Sequence, residues 1–325
     1  MKKALITGIN GQDGSHLAEL LLSKGYEVHG AIRRSSIESS TKMSNLKNII
    51  ARIKLHTCSL DNHLAVYKLI AAVQPDECYH LAASSFVSYS YEDEVSIFAT
   101  NFTATHYILS SIRELFPQCR VYFAGSSEMF GNADHTPQNE DTKFNPRSIY
   151  GISKLSSYHV VKNYREQHGL YACTGFTYNH ESPRRSHAFV TRKITSGVAK
   201  VALKLAKKIE LGNLEAVRDW GYAPEYVEAM WLMLNNPHGP RDYVIATGIP
   251  HTIKDLLQTA FAVVGLNYQN HIDINNEFFR PGEQVPLIGN PLNIYQDLGW
   301  RSTVKFEHII EEMVLNDLNL LKLKS

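Results

Sequence analysis

Short apolar runs alternate with amphipathic stretches through the first half of the chain. Ala4–Thr7 reads as a buried strand. A glycine turn follows, and then Leu17, Leu20, Leu21 and Leu22 recur at helical spacing until Gly25 stops them. Glu27–Ala31, Ile53–Thr57, Glu77–Ala82 and Arg120–Ala124 are further strand-like runs, with helical patterns at 64–73 and 99–115 between them. A long helix is expected over Tyr150–His168, followed by a strand at Ala172–Tyr178. Strands alternating with helices in this way predict an α/β fold with a doubly wound parallel sheet of the Rossmann type. After about residue 178 prolines punctuate shorter elements, and a closing helix is expected near Phe306–Leu321.

The chain has 325 residues, so a two-part division is expected: a dinucleotide-binding domain over 1–178 and a smaller mixed domain over 179–325 that takes the substrate. A late strand of the second part is expected to return to the main sheet. The formal net charge of +1 argues against a nucleic-acid binder. The Lys-rich stretch Lys200–Lys208 reads as the solvated face of a helix. Cys58, Cys78, Cys119 and Cys173 form no C-x-x-C pair and have no metal-ligand spacing, so buried free thiols and no metal are expected. No apolar run has the length of a membrane span, and the start of the chain lacks a signal-peptide pattern, so a cytoplasmic enzyme is expected.

Gly8, Gly11 and Gly14 form a G-x-x-G-x-x-G pattern between the first strand and the first helix. In that setting the glycines serve the tight turn, the backbone approach to a pyrophosphate and close helix–strand packing. The second strand runs into Arg33 and Arg34, where an NAD enzyme would carry an acid for the ribose 2′-hydroxyl. Guanidinium groups suit a 2′-phosphate, so NADP is the expected cofactor.

Tyr150 and Lys154 stand at i and i+4 of a helix and share one face. A phenol is a poor base at neutral pH, and a neighbouring ammonium and a cationic nicotinamide would favour the phenolate. Ser126 and Glu128 lie just past the fifth strand, where open α/β sheets place their ligands. Ser126 can bond the sugar oxygen that becomes a carbonyl. Glu128 can act as acid and base at the neighbouring carbons.

Taken together, these motifs resemble the extended short-chain dehydrogenase/reductase superfamily. The segments ALITGINGQDGSHLAELLLSKGYEVHG, SSEMFG, NHESPRR, FVTRKIT, LGNLEAVRDWGYAPEYVEAMW, DYVIATG and FFRPGE, spread from Ala4 to Glu283, look like the GDP-mannose 4,6-dehydratase family. The resemblance implies a cofactor site of Asn10, Gln12 and Asp13 beside the glycines, with Leu60, Leu81, Ala83, His180 and Arg185. It implies that Ser85, Asn179, Lys193, Arg218, Arg280 and Glu283 hold the nucleotide sugar. It also implies a reaction in which Tyr150 takes the C4 hydroxyl proton, Glu128 moves the C5 proton to the departing C6 hydroxyl, and hydride leaves C4 and returns at C6. Homodimers or homotetramers are implied as well, since the Arg34-Ser35-Ser36 segment resembles one that reaches a neighbouring subunit's cofactor. Gly125 and Ser126 stand where the family has Ser-Thr, Ser59 where it has Asp, Ser84 and Phe86 where it has Gln and His, and Ser186 where it has Gly. The stretch between Gly265 and Phe278 is shorter than in most relatives. These departures keep open another GDP-sugar, such as a heptose, and a GDP-sugar 4-reductase, oxidase or epimerase. An NADP-binding regulatory protein is the non-enzymatic alternative.

Overall fold

A computed structural model describes residues 1–84, 91–278 and 285–323. The expected sites Ser85, Arg280 and Glu283, and Phe86 with them, lie outside the described residues. The strands are β1 (Lys3–Thr7), β2 (Glu27–Ile32), β3 (Lys54–Thr57), β4 (Glu77–His80), β5 (Arg120–Ala124), β6 (Ala172–Thr177), β7 (Asn179–Glu181), β8 (Ile209–Leu211), β9 (Val217–Tyr222), β10 (Tyr243–Ile245), β11 (Pro250–Thr252) and β12 (Ile272–Ile274). The helices are α1 (Gln12–Ser23), α2 (Arg34–Ile37), α3 (Ser40–Met43), α4 (His63–Val73), α5 (Tyr91–Leu115), α6 (Ile149–His168), α7 (Val190–Ala202), α8 (Ala223–Leu234), α9 (Ile253–Ala262), α10 (Leu292–Leu298) and α11 (Phe306–Lys322).

Seven strands form one sheet in the order β10-β6-β5-β4-β1-β2-β3, and every pairing in it is parallel. A parallel sheet needs apolar cover on both faces. Leu17, Ala18 and Leu21 of α1 and Val227, Met230 and Met233 of α8 cover one face. Val66 and Ile70 of α4, Ile108 and Ile112 of α5, and Val161 of α6 cover the other. The strand order reverses between β1 and β4, and this switch point opens the crevice in which such sheets bind ligands. The late strand β10 pairs with β6 and joins the main sheet. As its edge strand, β10 has a backbone N–H to satisfy, and Val244 N donates it to Glu140 Oε1 at 2.7 Å.

Two small sheets complete the fold: β11-β9-β7, and β12 beside β8. A separate core joins Ile194 and Val198 of α7, Leu256 and Phe261 of α9, and Ile310 and Met313 of α11. Inside it Arg192 and Asp317, both almost wholly buried, pair at 2.7 Å and tie α7 to α11. Two sequence expectations need correction. Helix α5 starts at Tyr91, not near residue 99. The 200–208 stretch is not one helix: α7 ends at Ala202, and Lys204 takes a left-handed φ of +59°. There Leu205 N and Ala206 N both turn back to the Lys200 carbonyl, which closes the helix end. All four cysteines are buried and free, as expected. No helix among the described residues is long and apolar enough to cross a membrane.

Candidate active site

Gly8 leaves β1 with a φ of +74°, and a Cβ there would lie 3.0 Å from the Ala82 backbone beyond β4. A Cβ on Gly14 would come within 2.3 Å of the Gly8 carbonyl oxygen. A side chain at either position would therefore fill the turn that lets α1 begin against the sheet. Gly11 caps α1 without a side-chain hydrogen bond, so the first turn presents backbone N–H groups at the switch point. This cradle fits a dinucleotide pyrophosphate. Asn10 fixes its outer side, donating from Nδ2 to the Lys42 carbonyl at 3.2 Å and accepting Asn45 Nδ2 at its own carbonyl at 3.1 Å. Arg33 and Arg34 are exposed beyond β2, Leu60 follows β3, and Leu81 and Ala83 follow β4, so all five border the same end of the sheet.

Asp13 and His180 meet across the loop at 2.9 Å, Oδ2 to Nε2. The other ring nitrogen, Nδ1, donates to the Tyr178 carbonyl at 2.7 Å. Both nitrogens thus face acceptors, and the imidazolium is the form that satisfies both. Burial opposes charge on each partner. The carboxylate nevertheless raises the His180 pKa, and the histidine holds Asp13 well below the usual carboxylate range. Gln12 closes the cluster: its amide donates to Asp13 Oδ1 and to the His180 carbonyl, both at 3.0 Å. Arg185 stacks over Phe189 at 3.7 Å, and its Nε lies 3.2 Å from the buried Glu181 carboxylate.

The four expected catalytic residues come together where β5 ends and α6 begins. Ser126 accepts a hydrogen bond from Glu128 N at 3.2 Å, and its side chain favours the Tyr150 phenolate. Burial pushes the Tyr150 phenol up to about 12, the Ser126 bond and the Arg185 charge pull it down, and Glu128 adds to the rise. Lys154 does not pair closely with the phenol. Its ammonium donates to the Ala124 carbonyl at 2.7 Å and lies 5.9 Å from the centre of the Tyr150 ring. Burial lowers its pKa to about 7. The expectation that a nearby ammonium lowers the tyrosine is thus not met in the protein alone, because desolvation outweighs the neighbouring charges. Gly151 makes the close approach possible: a Cβ there would come within 2.5 Å of the Glu128 carbonyl. Gly125 also has a packing reason, since a Cβ would meet Thr174 Cγ2 at 2.8 Å.

On the substrate side, Asn179 opens β7 and Arg218 lies on the adjacent β9. Lys193 projects from α7 over the Phe278 ring at 3.8 Å. Three supporting residues escaped the sequence reading. Buried Asn101 of α5 bridges the loop after β4 to α6, accepting from Ser84 N at 2.9 Å and donating to Ser153 Oγ at 3.1 Å. Asp219 accepts from Thr247 N, Thr247 Oγ1, Gly248 N and Gly289 N, all within 3.1 Å. Arg147 faces Glu128. None of the three carries a spacing signal; only the RDWG motif pointed near one of them.

A family model described as GDP-mannose 4,6 dehydratase matches residues 5–313. The chain belongs to the GDP-mannose 4,6-dehydratase family. Among members of this family, it is similar to GDP-mannose 4,6 dehydratase 1 of Arabidopsis thaliana, with 44% identity over 99% of this chain and 91% of that protein. It is 40% identical to the GDP-mannose 4,6 dehydratase of Homo sapiens, over 98% and 92% of the two chains. Its fold matches the dTDP-glucose 4,6-dehydratase of Streptomyces venezuelae, solved with NAD bound, at a TM-score of 0.84 over 97% and 96% of the chains but only 22% identity.

Proposed function

We propose that this chain converts GDP-mannose to GDP-4-keto-6-deoxymannose by an internal redox reaction with loss of water. The supporting observation is Glu128, held against the Ser126–Tyr150 pair in a chain of this family. Gly8, Gly11 and Gly14 would hold NADP, with Arg33 and Arg34 to bind its 2′-phosphate, and the cofactor would supply the hydride chemistry that links C4 and C6. The rest of the chemistry belongs to side chains. Tyr150 takes the C4 hydroxyl proton while Ser126 orients the same oxygen, and Lys154 balances the phenolate charge. The C4 ketone acidifies C5. Glu128 removes the C5 proton, and its electron pair forms the C5–C6 double bond as the C6–O bond breaks. The same proton leaves with the hydroxyl as water. Once C6 has been reduced, C5 takes a proton from solvent, and Tyr150 gives the C4 hydroxyl proton back to solvent.

Asn179, Lys193 and Arg218 line the side where the diphosphate belongs, and cations there suit any nucleotide sugar. Choice of base needs groups that bond guanine. A panel of GDP-, UDP- and dTDP-sugars, incubated without added reductant, tests the reading by mass and NMR of the products. GDP-mannose should yield the 4-keto-6-deoxy product. Conversion of a GDP-heptose instead would move the sugar assignment, and equal competition by UDP would sink the guanine assignment. NADP should bind more tightly than NAD, and Arg33→Ala should narrow the gap; equal affinities in the unaltered protein would contradict the cofactor choice.

A further inference from the structure

We infer that Arg147 is a positioning residue for Glu128 that serves the elimination step and not the oxidation step. The inference rests on Glu128 acting as the acid/base. Arg147 Nε lies 3.9 Å from Glu128 Oε2, and both side chains are mostly shielded, 12% and 16% exposed. That distance is too long for a hydrogen bond but short enough for strong attraction in a shielded site. A bidentate pair would occupy both carboxylate oxygens. This separation steers the group and leaves lone pairs open for a proton.

The two residues sit on segments that are stitched together. Asn145 N donates to the Phe130 carbonyl at 3.2 Å and Asn132 N to the Asn145 carbonyl at 3.0 Å. Asn145 Nδ2 donates to the Asn132 carbonyl at 2.7 Å. Gly131 permits the closeness, with a φ of +53° and no room for a Cβ against Asn145. Arg147 is itself oriented, donating from Nη1 to Asn132 Oδ1 at 3.2 Å. The loop that carries the carboxylate thus also aims the cation that holds it. Glu128 serves the elimination step, so a residue that acts through its carboxylate bears on that step.

The test uses the full chain loaded with NADP and GDP-mannose. Arg147→Met should form NADPH in a single turnover within about twofold of the unaltered rate, then accumulate it. Water loss and deuterium entry at C5 should fall roughly 10- to 100-fold, the scale of a misplaced general base. Arg147→Lys should recover part of that loss. Asn132→Ala, which keeps the guanidinium but loosens it, should give a smaller loss in the same step. Equal slowing of oxidation and elimination would overturn the inference, as would a raised KM with normal kcat or an unimpaired Arg147→Met. If Arg147→Met does not fold, the Lys and Asn132 variants carry the test, and a normal elimination rate in both overturns it. Failure of the unaltered enzyme to form NADPH refutes the dehydratase reading itself, and with it any role for Arg147.

Discussion

The cofactor side and the substrate side of the crevice are built by different means. The cofactor side is made of backbone: Gly8 and Gly14 remove side chains so that β1, α1 and the turn beyond β4 can touch. The substrate side is held by buried polar side chains. Asp219 gathers four donors from two loops, and Arg192 with Asp317 joins the first of the late helices to the last. Backbone geometry tolerates few residue types, whereas a polar hub can be rebuilt from many combinations. The difference makes the glycine turn the less adjustable of the two.

The largest expected effect is on the redox side. Tyr150→Phe removes the proton acceptor, and kcat should fall by about 10²–10⁴ with no NADPH in a single turnover. Normal NADPH formation would remove Tyr150 from the mechanism and break the contrast. The next effect is structural and lies across the crevice. Asp219→Ala leaves buried N–H groups at Thr247, Gly248 and Gly289 without their acceptor, and should cost about 3 kcal/mol or more in urea unfolding. A loss under about 1 kcal/mol would mean that water replaces the carboxylate and that the hub is dispensable.

The smallest effect is a pH dependence at the buried Asp13–His180 pair on the cofactor side. The raised His180 pKa contributes stability that is present below about 6.5 and lost as pH rises through the folded value. The depressed Asp13 pKa contributes stability that is present above about 3.9 and lost as pH falls through its folded value. The pair is therefore worth most between those limits. Asp13→Asn should lower Tm there by a few degrees and less at higher pH. A uniform shift across pH would show that the pair contributes shape and not charge.

The same contrast explains what could be read from the sequence. The glycine spacing encodes a backbone path, and Tyr150 and Lys154 share a helix face through a local i, i+4 relation, so both were legible. The Asp13–His180 bond joins residues 167 positions apart, and no local pattern announces it. Arg147 sits in the extended segment before α6 and looks like one more solvated charge until the loop around Gly131 folds against it. Asn101 is one of many polar residues within a long helix, and only its burial and its bond to Ser153 show that it braces α6. The Lys200–Lys208 stretch has helical spacing, but the chain turns at Lys204, where closure of the helix end overrides propensity.

The central claim is that one enzyme oxidises C4, removes water across C5 and C6, and reduces C6 without outside reductant. GDP-mannose carrying deuterium at C4 tests it most directly when turned over with catalytic NADP and followed by NMR. The account predicts GDP-4-keto-6-deoxymannose with that deuterium at C6. Deuterium retained at C4, or lost from the product while water is still eliminated, would contradict it.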